Sequence, residues 1–446
     1  MKYIRISLFF ALVMCLVLSI SSPAIAAEEG SCGLDATWRF EDGTLTISGK
    51  GLVTDICWYD FHNRILKVVV EPGIINLPNN AFQDCEFLTE VILPDGFTLI
   101  GSFAFHNCNS LGTVQLPATL GHIGQHAFSN SGITGITIPG SVERIGTSAF
   151  DNCEKLLRVT VEEGVTYIGA SAFHGCKKLA EITLPDSLKI IENKAFESCS
   201  SLQSIVLPQH VTVISAQAFQ GCNSLASVTL SPKTTTIEYN AFAQCYALRS
   251  ISLPPTVQTI QGLSSALEEI HISDLTAWCT AEHSYKNHCL QNAGLYLNGE
   301  LLTDLRIPDD CNAISAHAFS HYGKLKSVTM PEGFTSIGDY AFQNCHSLQS
   351  VSLPCSLRRI GDSAFAHATN LKSIEYGGSF NDLKKVEING GNDALWNNYL
   401  QVSTPETATF SVYYSMVILA LACLLQFGVL IACLVIYIRQ RKYTFL

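Results

Sequence analysis

Apolar residues recur along this chain at a fixed spacing. A phenylalanine follows an alanine at Phe82, Phe105, Phe128, Phe150, Phe173, Phe196, Phe219, Phe242, Phe319, Phe342 and Phe365. Every step between them is 23 residues except one of 22 and one of 77. A constant period in this range marks stacked repeats. One copy reads LAEITLPDSLKIIENKAFESCSS, with Leu179, Ile182, Leu184, Leu188, Ile191, Ala195, Phe196 and Cys199 as its apolar positions. Alternation at Ile182 and Leu184 predicts a strand. Pro185 ends it, because proline has no amide proton to donate to a ladder. Leu188 and Ile191 mark a second short strand. Glycine follows the second isoleucine at Gly101, Gly124, Gly146, Gly169, Gly338 and Gly361. Such a position needs either a positive φ or a close backbone approach.

One such turn cannot bury its own apolar face, but turns stacked in parallel bury all of theirs in a shared core. The fold class that follows is β-rich: a right-handed parallel β solenoid of 23-residue leucine-rich repeats over residues 65–376, with a buried phenylalanine column. Terminal caps are expected at residues 28–64, where Asp42-Gly43 joins two alternating segments as a hairpin turn, and at the polar residues 377–396. The turn from Leu248 is short, at 19 residues, and the next is long, at 35. The excess falls at about residues 275–298 and holds Trp278, Tyr285 and Tyr296. Insertions in solenoids fall in loops on one face, often the binding face. These three aromatics are therefore candidate ligand-binding residues.

The two ends of the chain read differently. Residues 1–27 carry Lys2 and Arg5, an apolar run and small residues up to Ala26-Ala27, the pattern of a secretory signal peptide. Residues 410–438 hold no charged side chain, long enough for a membrane-spanning helix. Arg439, Arg441 and Lys442 follow in an eight-residue tail, 439–446, placed on the cytoplasmic side by its positive charge. Residues 397–409 form a linker. The expected topology is single-pass, with an N-terminal ectodomain outside the cell. Thr404-Pro405-Glu406-Thr407-Ala408 is similar to a degenerate sortase sorting signal, which leaves covalent wall attachment open.

The repeat unit L-x-x-V-x-L-P, then I-G, then A-F-x-x-C, resembles that of the BspA-like leucine-rich-repeat surface proteins. The stretch around Trp38 and Asp42-Gly43-Thr44-Leu45, and Leu295-Tyr296-Leu297-Asn298-Gly299-Glu300, are also similar to bacterial members. The resemblance implies a cell-surface protein that adheres to host proteins or to other cells. It names no ligand and carries over no binding residues.

Formal net charge is −11, which disfavours nucleic acid as a partner. No nucleophile elbow, P-loop, H-E-x-x-H or G-x-G-x-x-G is present, so neither an enzyme nor a cofactor is expected. Cys279, His283, His288 and Cys289 are ligand types at spacing too loose for zinc, and no metal is expected. Eight cysteines lie three residues after a repeat phenylalanine, where Ser131, Tyr322 and Ala368 stand in other copies. Small core thiols fit that tolerance, and disulfides between turns remain the alternative. Off the ladder, Cys32 with Cys57 and Cys279 with Cys289 are possible disulfides.

Outward positions of the strands form a second candidate site. Thr137, Thr160, Thr183 and Thr229 repeat there among Ile92, Gln115, Val206 and Ser252. This hydroxylated, weakly charged face suits a docking surface, and threonine also simply suits a solvated strand. The reading is surface binding of an extracellular protein or glycan. Its alternative is a non-catalytic structural or scaffold role in the cell envelope.

Overall fold

The computed structural model describes residues 27–285, 289–397 and 400–402. The expected signal peptide, the expected membrane helix at residues 410–438 and the tail lie outside the described residues, apart from Ala27. Among the described residues no helix is long and apolar enough to cross a membrane. The chain divides into two compact units, Met1–Glu268 and Glu269–Leu446. The architecture is a parallel β solenoid of about 14 turns built on the 23-residue repeat.

The first unit opens with β1 (Glu28–Ser31), β2 (Asp35–Glu41) and β3 (Thr44–Lys50), paired antiparallel. Asp42 and Gly43 have φ of 47° and 77°, the left-handed pair that a tight hairpin turn requires. β3 then pairs in parallel with β4 (Lys67–Val70), so the hairpin covers the end of the solenoid. Successive turns add one strand each to a nine-stranded sheet and one two-residue strand each to a six-stranded sheet. Arg158 stands opposite Glu181, and Ile168 opposite Ile191, each offset by one repeat. The pair Ile190–Ile191 is the second short strand expected from Leu188 and Ile191.

Three columns fill the core. The repeat phenylalanines are all buried. From Phe82 to Phe242 their ring centroids lie 5.1–5.6 Å apart and within 15° of parallel. Turn spacing of about 4.8 Å forces this offset stack. The second column is the buried repeat cysteines, whose thiols from Cys108 onward donate to the carbonyl of a phenylalanine one turn back: Cys176 to Phe150 at 3.1 Å and Cys222 to Phe196 at 3.2 Å. A small residue with a weak donor fits there, and the structure holds these cysteines as free thiols. The strand leucines, isoleucines and valines form the third column.

The glycines after the second isoleucine do not have positive φ; they mark close approach. A Cβ on Gly101 would lie 2.5 Å from the carbonyl carbon of Pro78, and one on Gly124 would lie 2.5 Å from the amide of Ser102. Positive φ occurs instead beside the phenylalanines, at the residue before the alanine and at the residue before the cysteine. Ser171 and Ser198 have φ of 54° and 62°. Their amides point along the stack: Ser171 N donates to Asn193 O at 3.0 Å and Ser198 N to Gln220 O at 2.7 Å.

The second unit repeats the plan. The strand Glu269–Ile272 pairs in parallel with Gly294–Leu297, which forms an antiparallel hairpin with Glu300–Leu301. Between them lies the helix α1 (Leu275–Thr280), N-capped by the Asp274 carboxylate, which accepts from Ala277 N at 3.0 Å. Regular turns follow, from Asp304–Arg306 to Ser373–Tyr376. They end near α2 (Phe380–Leu383), which carries a capping box between Ser379 and Asp382.

Candidate functional site

The strand face places Thr137, Thr160 and Thr183 directly opposite one another on three adjacent strands, all exposed. Thr229 is exposed and pairs with Val206, itself 66% exposed. Two positions earlier on the same strands, Arg158 pairs with Glu181 at 3.5 Å, and Gly135 stands opposite Arg158. Lys67 pairs with Glu90 at 3.0 Å in the same way. The charges on this face are therefore largely matched by neighbours. What remains is a row of hydroxyls and a few exposed apolar side chains, able to make many shallow contacts.

The long turn does not present its tryptophan. Trp278 is 3% exposed, and its indole N–H donates to Ala318 O at 3.1 Å. Trp58 does the same in the first unit, donating to Ala81 O at 2.7 Å and stacking on Phe82. In each unit a tryptophan precedes the first phenylalanine of the column and satisfies the carbonyl beside it. Trp278 is thus a core residue and not a ligand contact, because an aromatic at the start of a stack has apolar partners on hand. Tyr285 is 64% exposed and Tyr296 is half-buried, stacked on His271 at 5.0 Å. The two remain surface candidates.

The polar groups of this region are structural. His283 is buried, its Nε2 2.8 Å from Trp278 O at the end of α1. Burial pulls its pKa down to about 4, so the ring is neutral and donates. His288 lies outside the described residues. Among the described residues no group of three His, Cys, Asp or Glu side chains is placed to hold a metal. Cys279 and Cys289 are both buried free thiols, and the neighbouring Cys311 thiol, then burial, raises the Cys279 pKa well above its ordinary value. Cys32 and Cys57 are free thiols as well. Burial, then the neighbouring Cys57, raises the Cys32 pKa to about 11, while Cys57 Sγ donates to Ser31 O at 3.3 Å.

Two features escaped the sequence reading. The first is a set of stacked rings at the positive-φ corner: Phe103 on His126 at 4.8 Å, and His317 on Tyr340 at 5.0 Å. The repeat hides them, because this position varies freely in residue type. The second follows from the single 22-residue step. In regular turns the residue two after the cysteine donates along the stack, as Ser224 N does to Ser200 O. The turn at Ser131-Gly132 lacks that residue, and Lys155 Nζ reaches across two turns to Asn109 O at 3.0 Å instead. The gap leaves a polar cavity of about 400 Å³ lined by Asn109, Asn130, Asn152, Glu154 and Lys155. Its shortened step was the available signal.

The sequence profile described as the BspA type leucine rich repeat region matches residues 46–157, 75–203, 145–272 and 292–390, well over half of the chain. Among solved structures, the chain is similar to a leucine-rich repeat protein from Bacteroides ovatus. The two are 20% identical with a TM-score of 0.50, over 83% of this chain and 98% of that one. A leucine-rich repeat protein from Eubacterium ventriosum is 20% identical with a TM-score of 0.44, over 85% of this chain and 96% of that one. No curated protein matches. A profile matched in register along the repeats, and a core of the kind the repeat demands, place this chain in the family of BspA type leucine-rich-repeat proteins.

Proposed function

We propose that this chain is a non-catalytic surface protein that binds an extracellular protein or glycan through the strand face of its first unit. A signal peptide at residues 1–27 exports it, and a single helix at residues 410–438 holds it in the membrane. The observation that carries the reading is the exposed, in-register row Thr137, Thr160 and Thr183, flanked by charges already paired along the stack. Small hydroxyls on a rigid sheet lose little side-chain entropy when a partner docks. Membership of a repeat family whose resemblance implies adhesion supports the same reading.

The test is a binding screen of the secreted ectodomain against matrix proteins and glycans, followed by Thr160→Arg. A loss of affinity of tenfold or more at unchanged thermal stability supports the face as the docking surface. Undiminished binding removes it. An ectodomain that retains no ligand in the screen favours the envelope scaffold instead.

A further inference from the structure

Among the cysteines of the second unit, two are brought together that no spacing in the sequence pairs. Cys279 lies in the last turn of α1, and Cys311 closes a tight turn in which its N–H donates to Pro308 O at 3.0 Å. Three hydrogen bonds hold the helix against this segment. Thr276 Oγ1 donates to Asp310 Oδ1 at 2.8 Å, Ser315 N to Cys279 O at 2.8 Å, and Ser315 Oγ to Thr280 O at 3.0 Å. They bracket the two thiols, and Cys311 Sγ donates to Ala313 O at 3.2 Å. From Cys108 onward the ladder cysteines are spent differently, donating to a phenylalanine carbonyl one turn back, as Cys345 does to Phe319 O at 3.2 Å.

We propose that Cys279 and Cys311 are an oxidisable pair whose disulfide fastens α1 to the adjoining turn. The oxidant is a small-molecule disulfide. The Cys311 sulfur attacks one sulfur of it, an S–S bond breaks, and one thiolate leaves. Cys279 then attacks the Cys311 sulfur of the mixed disulfide, and the second thiolate leaves. Two protein thiols become one disulfide, two electrons reduce the oxidant, and the two protons pass to its two thiolates. The neighbouring Cys279 thiol holds the Cys311 pKa below its usual value, which suits Cys311 to the attacking role. Export to an oxidising compartment would supply such conditions. The pairing itself rests on geometry and does not depend on the proposed ligand.

The full chain is incubated with oxidised glutathione, quenched with an alkylating agent, digested and read by mass spectrometry. The expected product is a cross-linked peptide pair joining Cys279 to Cys311, reversed by dithiothreitol and formed equally in Cys289→Ser. The oxidised chain should unfold at a midpoint higher by roughly 5–10 °C for the second unit. A cross-link from Cys279 to Cys289 overturns the proposal. So does recovery of Cys279 and Cys311 as alkylated thiols after oxidation, or glutathione left on Cys311 in the wild-type chain.

Discussion

The thiol of Cys199 donates to the carbonyl oxygen of Phe173, one turn earlier, at 3.2 Å. That same carbonyl accepts Cys176 N within its own turn at 3.3 Å, so this phenylalanine carbonyl is shared by two cysteines. The ladder is therefore a column of donors, with no sulfur needing another sulfur. Burial raises the Cys85 pKa, helped by Asp84, and that of Cys345, each to about 12, so almost no thiolate forms near neutral pH. Iodoacetamide at pH 8 should label exposed Cys57 in the native chain and reach the ladder only after denaturation. Replacing Cys199 by alanine should cost about 1–2 kcal/mol, from a lost hydrogen bond and a small void. Urea titration of the variant checks the second figure, and peptide mapping the first.

The phenylalanine column makes a stronger claim. Phe196 lies between Phe173 and Phe219, with ring centroids at 5.5 and 5.4 Å. Its removal cannot be relieved by collapse, because backbone hydrogen bonds fix the spacing of the turns on both sides. Phe196→Ala should cost about 3–5 kcal/mol. Phe196→Leu fills most of the volume and should cost clearly less. Both are measured as shifts in the denaturation midpoint with an unchanged slope.

The repeat was legible because each of its parts has one physical reason that acts at every turn. The leucine, isoleucine and phenylalanine columns are selected by burial, and burial has the same period as the chain. Asp42-Gly43 was legible for a local reason, the left-handed turn. The residues with positive φ were not, because at Ser148, Lys194 and Gln217 the conformation is imposed by hydrogen bonds to the next turn and the side chain is free to vary. Trp278 misled because its segment breaks the period. Nothing in its local spacing says that a column begins there, and only the bond to Ala318, 40 residues on, reveals it. Cys311 was similarly invisible as a partner for Cys279, since the pairing depends on how α1 docks.

A buried amide ends the stack. Asn392 is 2% exposed; its Oδ1 accepts from Phe365 N at 3.0 Å and its Nδ2 donates to Gly361 O at 2.8 Å. In earlier turns the phenylalanine N–H is met by the backbone of the next repeat, as Phe342 N meets Ala364 O, while the glycine carbonyl accepts from its own turn, as Gly338 O does from Ala341 N at 3.3 Å. The side chain thus stands in for a turn that does not follow. Asn392→Leu should leave a buried N–H and a buried carbonyl without partners and cost about 2–4 kcal/mol. Hydrogen exchange of the Phe365 amide, fast in the variant and slow in the parent, would locate the loss. An unchanged exchange rate would show that the amide is satisfied in another way.

His283 gives the second unit a dependence on pH whose direction is set by its burial. Its folded pKa is about 4, below the ordinary value near 6.5 that it regains on unfolding. Between those values the unfolded chain binds the proton and the folded chain does not, so stability falls as pH falls. The neutral ring's contribution is fully present above about pH 6.5 and declines by up to about 1.4 kcal/mol per pH unit down to about pH 4. The carbonyl of Trp278 opposes the shift by favouring a protonated ring, but desolvation outweighs it. His283→Gln keeps a donor toward Trp278 O and removes the titration. Denaturation curves at pH 7 and pH 4.5 should therefore diverge for the parent and converge for the variant. Equal pH sensitivity in both would mean that the imidazole is reached by water and that its burial contributes nothing to the acid response.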